Sequence, residues 1–389
     1  MEKPQPFAID IPEADLEDLR FRLLRTRWPM DLDNAQWRYG VSRAYLEDLV
    51  GYWIDGYDWR AQEAAMNGFS HFRVKLDDIP IHFIHERGKG PAPMPLILTH
   101  GWPSTFWDLR KLIRPLADPA AFGGDPADAF DVVVPSLPGF GFSTPLTMTG
   151  VSAFTTADLW VRLMREVLGY ETFAAQGNDW GNNVCKQLGH KYARYLHGIH
   201  ITGYSPTSWG VPDPTPLTSE DFGPEEAGWF DRHQAGMRRA TYIPVHNGNP
   251  QSLAYAMNDS PAGMAAWLLE RRRHPGDFSA GIENVFTRDD QITNVMLYWL
   301  TGSFVSAARF YYEQSHASEG PSHDRRPTVE APTAFGILPR DAVATPRKWA
   351  ERDTNLQRWT VYSGGGHYGV YEVADEFVDD LRAFFRPMR

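Results

Sequence analysis

Residues 177–181, Gly-Asn-Asp-Trp-Gly, have the Gly-x-nucleophile-x-Gly spacing of a sharp strand-to-helix turn. Such a turn usually lifts a serine out for attack, but here Asp179 stands in its place. A carboxylate suits a different electrophile. Serine attacking a saturated carbon would leave a stable ether. Aspartate leaves an ester of its own side chain, which water can cleave at the carboxyl carbon. With an ordinary pKa of about 3.9 it is ionised at neutral pH and attacks without a base. A histidine is then free to activate water in a second step. The chemistry implied is alkyl transfer to water, from an epoxide or an alkyl halide.

Two more loops can complete such a site. Ser363-Gly364-Gly365-Gly366-His367 puts a histidine on a flexible loop after a strand-like stretch. Its orienting acid is expected from the preceding strand end, where PTAFGIL is followed by Pro339-Arg340-Asp341. Asp341 is better placed there than Glu330 or Asp353. It would hold the imidazole tautomer and stabilise the imidazolium. His100-Gly101-Trp102-Pro103 follows PLILTH, and Gly101 is expected to permit an unusual backbone angle. The backbone N–H groups of Trp102 and Trp180 are the candidate oxyanion hole for the tetrahedral intermediate on Asp179. Each feature has a plainer reading. Asp179 could be an N-cap, the loop at 100–103 an ordinary turn, and His367 one structural histidine among 13. The chain order nucleophile, acid, histidine, with each residue at a strand end, favours the chemical reading.

These loops need a scaffold, and the hydrophobic pattern supplies one. Helical periodicity covers 13–27, with Leu16, Leu19, Leu23 and Leu24 on one stripe, then 43–54 and 58–67. FRVKL (72–76) and IHFIHE (81–86) read as a hairpin around Asp77-Asp78. Short apolar strands at 95–100, 131–136, 172–177 and 198–204 then alternate with helices near 105–117, 155–168 and 181–195. That alternation predicts a doubly wound, mostly parallel sheet with helices on both faces. It breaks at 206–320, where helical patterns around 218–239, 261–273, 289–300 and 303–315 suggest a lid. It resumes with strands at 332–338 and 356–363, a helix near 346–352 and a last amphipathic helix from about 370. The expected organisation is a wrapping N-terminal arm at 1–68, the core at 69–205 and 326–389, and a helical lid at 206–325.

Composition narrows the partners. A formal charge of −11 disfavours nucleic acid and anionic membranes. The basic run Arg271-Arg272-Arg273-His274 reads as the solvated end of a helix. The single cysteine, Cys185, excludes an internal disulfide and any cysteine-based zinc site. No metal or other cofactor is expected. The first residues carry no apolar signal-peptide core, and no apolar run is long enough to span a membrane. A cytoplasmic location fits. Aromatic residues make up 13% of the chain, including 14 Trp, and suit an apolar pocket.

With these residues in view, the chain resembles the microsomal-type epoxide hydrolases, a group that includes the juvenile hormone epoxide hydrolases. The similarity runs from about residue 6 to the C-terminus. It is carried by LRFRLLRTRWP (19–29), IHFIHE (81–86), HGWP (100–103), PSLPGFGFS (135–143), GNDWG (177–181), NDSP (258–261), NVMLYWLTG (294–302), ARFYYE (308–313), ATPRKW (344–349) and GGHYGVYE (365–372). The resemblance implies an α/β-hydrolase fold, with Asp179 as nucleophile and His367 as general base. Asp341 falls where relatives often carry a glutamate. It also implies two ring-opening tyrosines, matching Tyr311 and Tyr242. Tyr242 lies in a loosely similar segment, and Tyr312 competes with Tyr311; packing in the lid is the alternative for all three. Gly364 stands where relatives commonly have arginine, and Tyr368-Gly369 where they have Phe-Ala.

The implied partners are a small apolar epoxide and water, without a membrane anchor, and a homodimer is left open. A haloalkane dehalogenase is the alternative with the same Asp-His-Asp triad, since the Trp180 indole N–H could receive a halide. Against it, HGWP lacks the asparagine that many dehalogenases use there. A non-catalytic relative that binds an apolar ligand is a third reading.

Overall fold

Short, fully apolar strands bury both faces and so belong inside a sheet flanked by helices. The computed structural model describes residues 3–203, 217–273 and 281–389, and builds one nine-stranded sheet. Its strands are β1 (Gln5–Pro6), β2 (His71–Leu76), β3 (Ile79–Glu86), β4 (Met94–Thr99), β5 (Phe130–Pro135), β6 (Phe173–Gly177), β7 (Leu196–Ile201), β8 (Val329–Ile337) and β9 (Thr354–Val361). They lie in the order β1-β2-β3-β5-β4-β6-β7-β8-β9. The first three pairings are antiparallel and the other five parallel.

The β2–β3 hairpin turns where expected. Asp77 and Asp78 both adopt positive φ, 49° and 65°, as a two-residue turn matching the strand twist requires. From β4 the chain steps outward to β5 and then returns past β4 to β6. The reversal makes the β4/β6 boundary a switch point, where a crevice opens at the carboxyl ends of the strands. Register sharpens this, because Thr99 pairs with Gly177. The loops starting at His100 and Asn178 therefore leave the sheet side by side. At the other edge Ile337 pairs with Val361, which sends the Asp341 and His367 loops out together.

The described residues between β7 and β8 form helices over these strand ends. The expected helix at 218–239 is broken into two 3-10 turns and a helix at Trp229–Arg239. Pro224 lacks an N–H, and Gly228 turns left-handed at φ 79°, so a continuous helix cannot form. Helices at Tyr242–Gly248 and Pro250–Met257 follow. Both are too short, and too rich in proline at their starts, to leave a periodic signal. Pro261–Arg273, Arg288–Leu300 and Phe304–Ser315 fall close to expectation. No helix among the described residues is long and apolar enough to cross a membrane.

The N-terminal segment packs along this assembly. Leu19 and Leu23 of the first helix are buried, but Leu24 is exposed, because the helix ends there, short of the expected 27. The Asn67 side chain brackets the backbone of Ile9, donating to its carbonyl and accepting from its N–H at 2.8 and 2.9 Å. Glu63 accepts from the Ile11 N–H at 2.8 Å. The two-residue strand β1 gave no sequence signal. Cys185 lies fully buried in the helix Trp180–Lys191.

One expectation fails outright. The basic run 271–273 is not a solvated helix end. Arg271 and Arg272 are buried, and Arg272, 1% exposed, pairs with the buried Asp108 of the segment after the HGWP loop. The carboxylate makes burial of the guanidinium tolerable, which a pattern of charges along the chain cannot reveal. His274 lies outside the described residues. Asp108→Asn, which keeps much of the shape but removes the charge, should lower unfolding stability by about 3–5 kcal/mol in urea titration. The paired change Asp108→Leu with Arg272→Met should restore most of it.

Candidate active site

The turn after β6 is tight enough to exclude side chains on both sides of Asp179. A Cβ on Gly177 would lie 2.1 Å from the Gly181 carbonyl oxygen, and one on Gly181 would lie 2.0 Å from that of Thr99. Asp179 itself sits at φ 52°, ψ −119°, a conformation costing of order 1–3 kcal/mol for a residue with a side chain. It begins the helix Trp180–Lys191, yet its side chain makes no capping hydrogen bond. The plain N-cap reading therefore does not apply.

The carboxylate is held instead by two other loops. The Trp102 N–H donates to Asp179 Oδ1 at 2.7 Å. Gly101 serves this contact differently from the expectation. Its φ is not in the left-handed region. Its lack of a side chain is what matters, since a Cβ there would lie 2.1 Å from Asp179 Oδ1. The Trp180 N–H occupies the first helical position, where no acceptor exists within the helix.

The other carboxylate oxygen, Oδ2, is 3.2 Å from His367 Nε2, and His367 Nδ1 is 3.0 Å from Asp341 Oδ1. The structure thus brings together all three residues expected of a triad. Glu330 is engaged elsewhere, by Arg325, and Asp353 by Arg326 and Arg352. Both histidine nitrogens face carboxylate oxygens, an arrangement that suits the imidazolium. Burial alone would lower the histidine pKa. Charge attraction to Asp341 and the bonds to Asp179 and Asp341 outweigh it and raise the pKa well above the ordinary value.

Tyr242 and Tyr311 meet above this group. Their rings lie 5.7 Å apart and nearly perpendicular. Tyr242 stacks on Trp102 at 4.8 Å, and Tyr311 meets Trp180 edge-on at 4.6 Å. The two tryptophans whose N–H groups are the candidate oxyanion donors thus also pack against the two tyrosines. Tyr311 is 5% exposed whereas Tyr312 is 38% exposed and stacks on His316. Of those neighbours, Tyr311 is the one beside Trp180. Burial, with the Asp179 charge nearby, pushes both hydroxyls above the ordinary tyrosine range, so they stay protonated. Neither the Trp102 nor the Trp180 indole N–H has an acceptor among the described residues.

Sequence reasoning missed several supports. Glu372 accepts from the backbone N–H groups of Gly366 and Tyr368 at 2.9 and 3.0 Å, clasping His367 between them. Arg232 donates to the Asp341 carbonyl at 2.9 Å, and the Arg340 N–H donates to that of Gly365 at 3.1 Å. His100 donates from Nδ1 to the Gly101 carbonyl at 2.9 Å and accepts from the Leu137 N–H at 3.1 Å. Glu372 and His100 both lie in the stretches quoted above, which was the only available signal. His246, fully buried, packs against Trp102, Tyr242 and Tyr311.

A carboxylate on the strand-to-helix turn, with a histidine–acid pair and an amide facing it, defines the chain as an α/β hydrolase with an aspartate in the nucleophile position. The profile for the alpha/beta hydrolase fold matches residues 94–241, and that for the epoxide hydrolase N terminus matches residues 4–109. Epoxide hydrolase 1 of Oryctolagus cuniculus is 30% identical over 98% of this chain and 89% of its own length. The Aspergillus niger epoxide hydrolase structure superposes with a TM-score of 0.86 at 25% identity, covering 100% of this chain and 97% of that one. Juvenile hormone epoxide hydrolase from Bombyx mori shares the fold at a TM-score of 0.86 and 23% identity, over 100% and 95% of the two chains. The chain belongs to the epoxide hydrolase family.

The electrostatics can be tested without substrate. In Asp179→Ala, the bond and charge that help raise the His367 pKa are gone. Its imidazole should titrate at lower pH than in the parent, as read from its Cε1 proton by NMR.

Proposed function

We propose that the protein opens an epoxide to a vicinal diol through an ester on Asp179. The observation carrying this reading is the double hold on one carboxylate, by an amide on Oδ1 and a histidine on Oδ2, beneath two adjacent tyrosine rings. Oδ2, on the histidine side, attacks a ring carbon. The C–O bond of the ring breaks, and the departing oxygen takes a proton or hydrogen bond from Tyr311 and Tyr242. Two hydroxyls that resist ionisation are suited to stabilising that oxygen together while giving up little charge themselves.

The ester then changes the base. While Asp179 is ionised, its charge helps keep His367 protonated and unable to accept a proton. Ester formation removes that charge, so the imidazole pKa falls; its proton passes through solvent to the tyrosine that gave one to the ring oxygen, and a neutral base appears. It takes a proton from water, and the hydroxide adds to the Asp179 carboxyl carbon. The Trp102 and Trp180 amides stabilise the resulting oxyanion on Oδ1. On collapse the imidazolium protonates the departing oxygen and the diol is released, and the carboxyl proton left by the added hydroxide passes back to the ring, restoring the carboxylate and the imidazolium. Asp341 keeps the ring oriented throughout. The segment 206–325 serves as the lid that brings the tyrosines, between the arm at 1–68 and the two parts of the core. A small apolar epoxide and water are the partners this reading requires.

The unpartnered Trp180 indole favours keeping the halide alternative in the same experiment. With styrene oxide, His367→Gln should accumulate an adduct of one substrate mass on Asp179, seen by intact mass and peptide mapping. Full turnover by Asp179→Asn, without deamidation, would overturn the scheme. Halide release from chloro- or bromoalkanes without diol formation would favour the dehalogenase. Tyr242→Phe with Tyr311→Phe should lower ester formation at least 100-fold, by analogy with loss of an oxyanion donor, while the thermal transition stays close to that of the parent.

A further inference from the structure

The stretch NVMLYWLTG (294–302) has no part in the scheme above, although it is among the motifs that carry the family resemblance. Its place in the fold suggests one. Asn294 and Tyr298 are four residues apart on the helix Arg288–Leu300, and so share a face. Asn294 Nδ2 donates to the Pro103 carbonyl at 2.9 Å, and the Tyr298 hydroxyl donates to the Ser104 carbonyl at 3.0 Å. Both side chains are buried. Their acceptors directly follow Trp102, whose N–H faces Asp179.

The same helix is also bonded to the N-terminal segment near its own N-terminus. The hydroxyls of Tyr45 and Tyr52 donate to Gln291 and Asp289 at 2.8 and 2.7 Å, and that of Tyr57 bonds Thr293 at 3.0 Å. The helix is therefore tied both to the arm and to the loop at 102–104.

We propose that Asn294 and Tyr298 are positioning residues for the oxyanion hole, holding the Trp102 N–H on Asp179 Oδ1 and thereby governing ester hydrolysis rather than ester formation. The inference rests on the Asp179 ester scheme. Its selectivity follows from charge. As the ester forms, Oδ1 changes from half of a carboxylate to a neutral carbonyl oxygen, so an N–H donor gains nothing in that transition state. As water adds, Oδ1 becomes a full oxyanion and the same donor gains most. An amide released from its proper place thus slows the second step and leaves the first nearly intact.

Tyr298→Phe and Asn294→Leu test this, each removing one donor at nearly constant volume. With styrene oxide, kcat and KM should fall together, about ten-fold when hydrolysis limits turnover, because displacing a donor costs less than removing one. Their ratio should stay within about two-fold, since kcat/KM reports the free enzyme through ester formation. Ester decay in single-turnover mass measurements should slow by the same factor as kcat. A fall in kcat/KM without slower ester decay would overturn the proposal and mark both residues as structural. Parent-like ester decay in both variants would overturn it too. His367→Gln run alongside separates the two levels. No adduct there sinks the ester scheme itself, whereas an adduct there with unchanged decay in both variants sinks only this assignment. Either variant suffices if the other does not fold.

Discussion

The bond from the Trp102 N–H to Asp179 Oδ1 is the contact around which the molecule is arranged. It spans two loops that are 77 residues apart in the chain. It exists because β4 and β6 are neighbours in register, Thr99 beside Gly177. It also requires three positions without side chains, Gly101, Gly177 and Gly181, each of which would otherwise collide with backbone or with the carboxylate. Asp179 is held in an unfavourable backbone conformation to reach it. Strain of this kind persists only where the surroundings over-determine the geometry. Here the surroundings are the sheet below and the helices above.

Around that contact the charges are interdependent. Asp179 and Asp341 bracket one imidazole, and the protonation of the ring depends on both. In the proposed scheme a single covalent event on one carboxylate changes what the histidine can do. That scheme needs no conformational change to switch the ring from a donor to a base. The polar groups that fix this geometry, Glu372, Arg232 and His100 among them, act on backbone amides and carbonyls rather than on reacting atoms. They set positions and leave the chemistry to others.

Much of this was legible in the sequence because it depends on local rules. Short apolar runs alternating with helical periodicity made the parallel sheet readable, and paired aspartates marked the hairpin. The strand-end positions of Asp179, Asp341 and His367 followed from the same pattern. What escaped was set by tertiary contact. Arg272 looked solvated because nothing near it in the chain is its partner; Asp108 lies 164 residues away. The helix carrying Tyr242 is seven residues long and contains Pro244, so it has no period to detect. Tyr242 was therefore reached through resemblance alone, whereas Asp179 could be argued from its own chemistry. Gly101 was singled out for the wrong reason. A missing side chain can relieve a torsion or a collision, and only coordinates distinguish the two.

The buried position of Cys185 has a bearing on self-damage. Thiolates are strong nucleophiles toward strained rings, and a protein that concentrates epoxides beside its own side chains exposes any available thiolate to alkylation. The only thiol in this chain is fully enclosed, one turn into the helix that Asp179 begins. Burial also pushes its pKa upward, so that it stays protonated at neutral pH. In the proposed scheme the carboxylate at the head of that helix forms an ester that water can undo, while the sulfur behind it, which would form a permanent thioether, is kept out of reach.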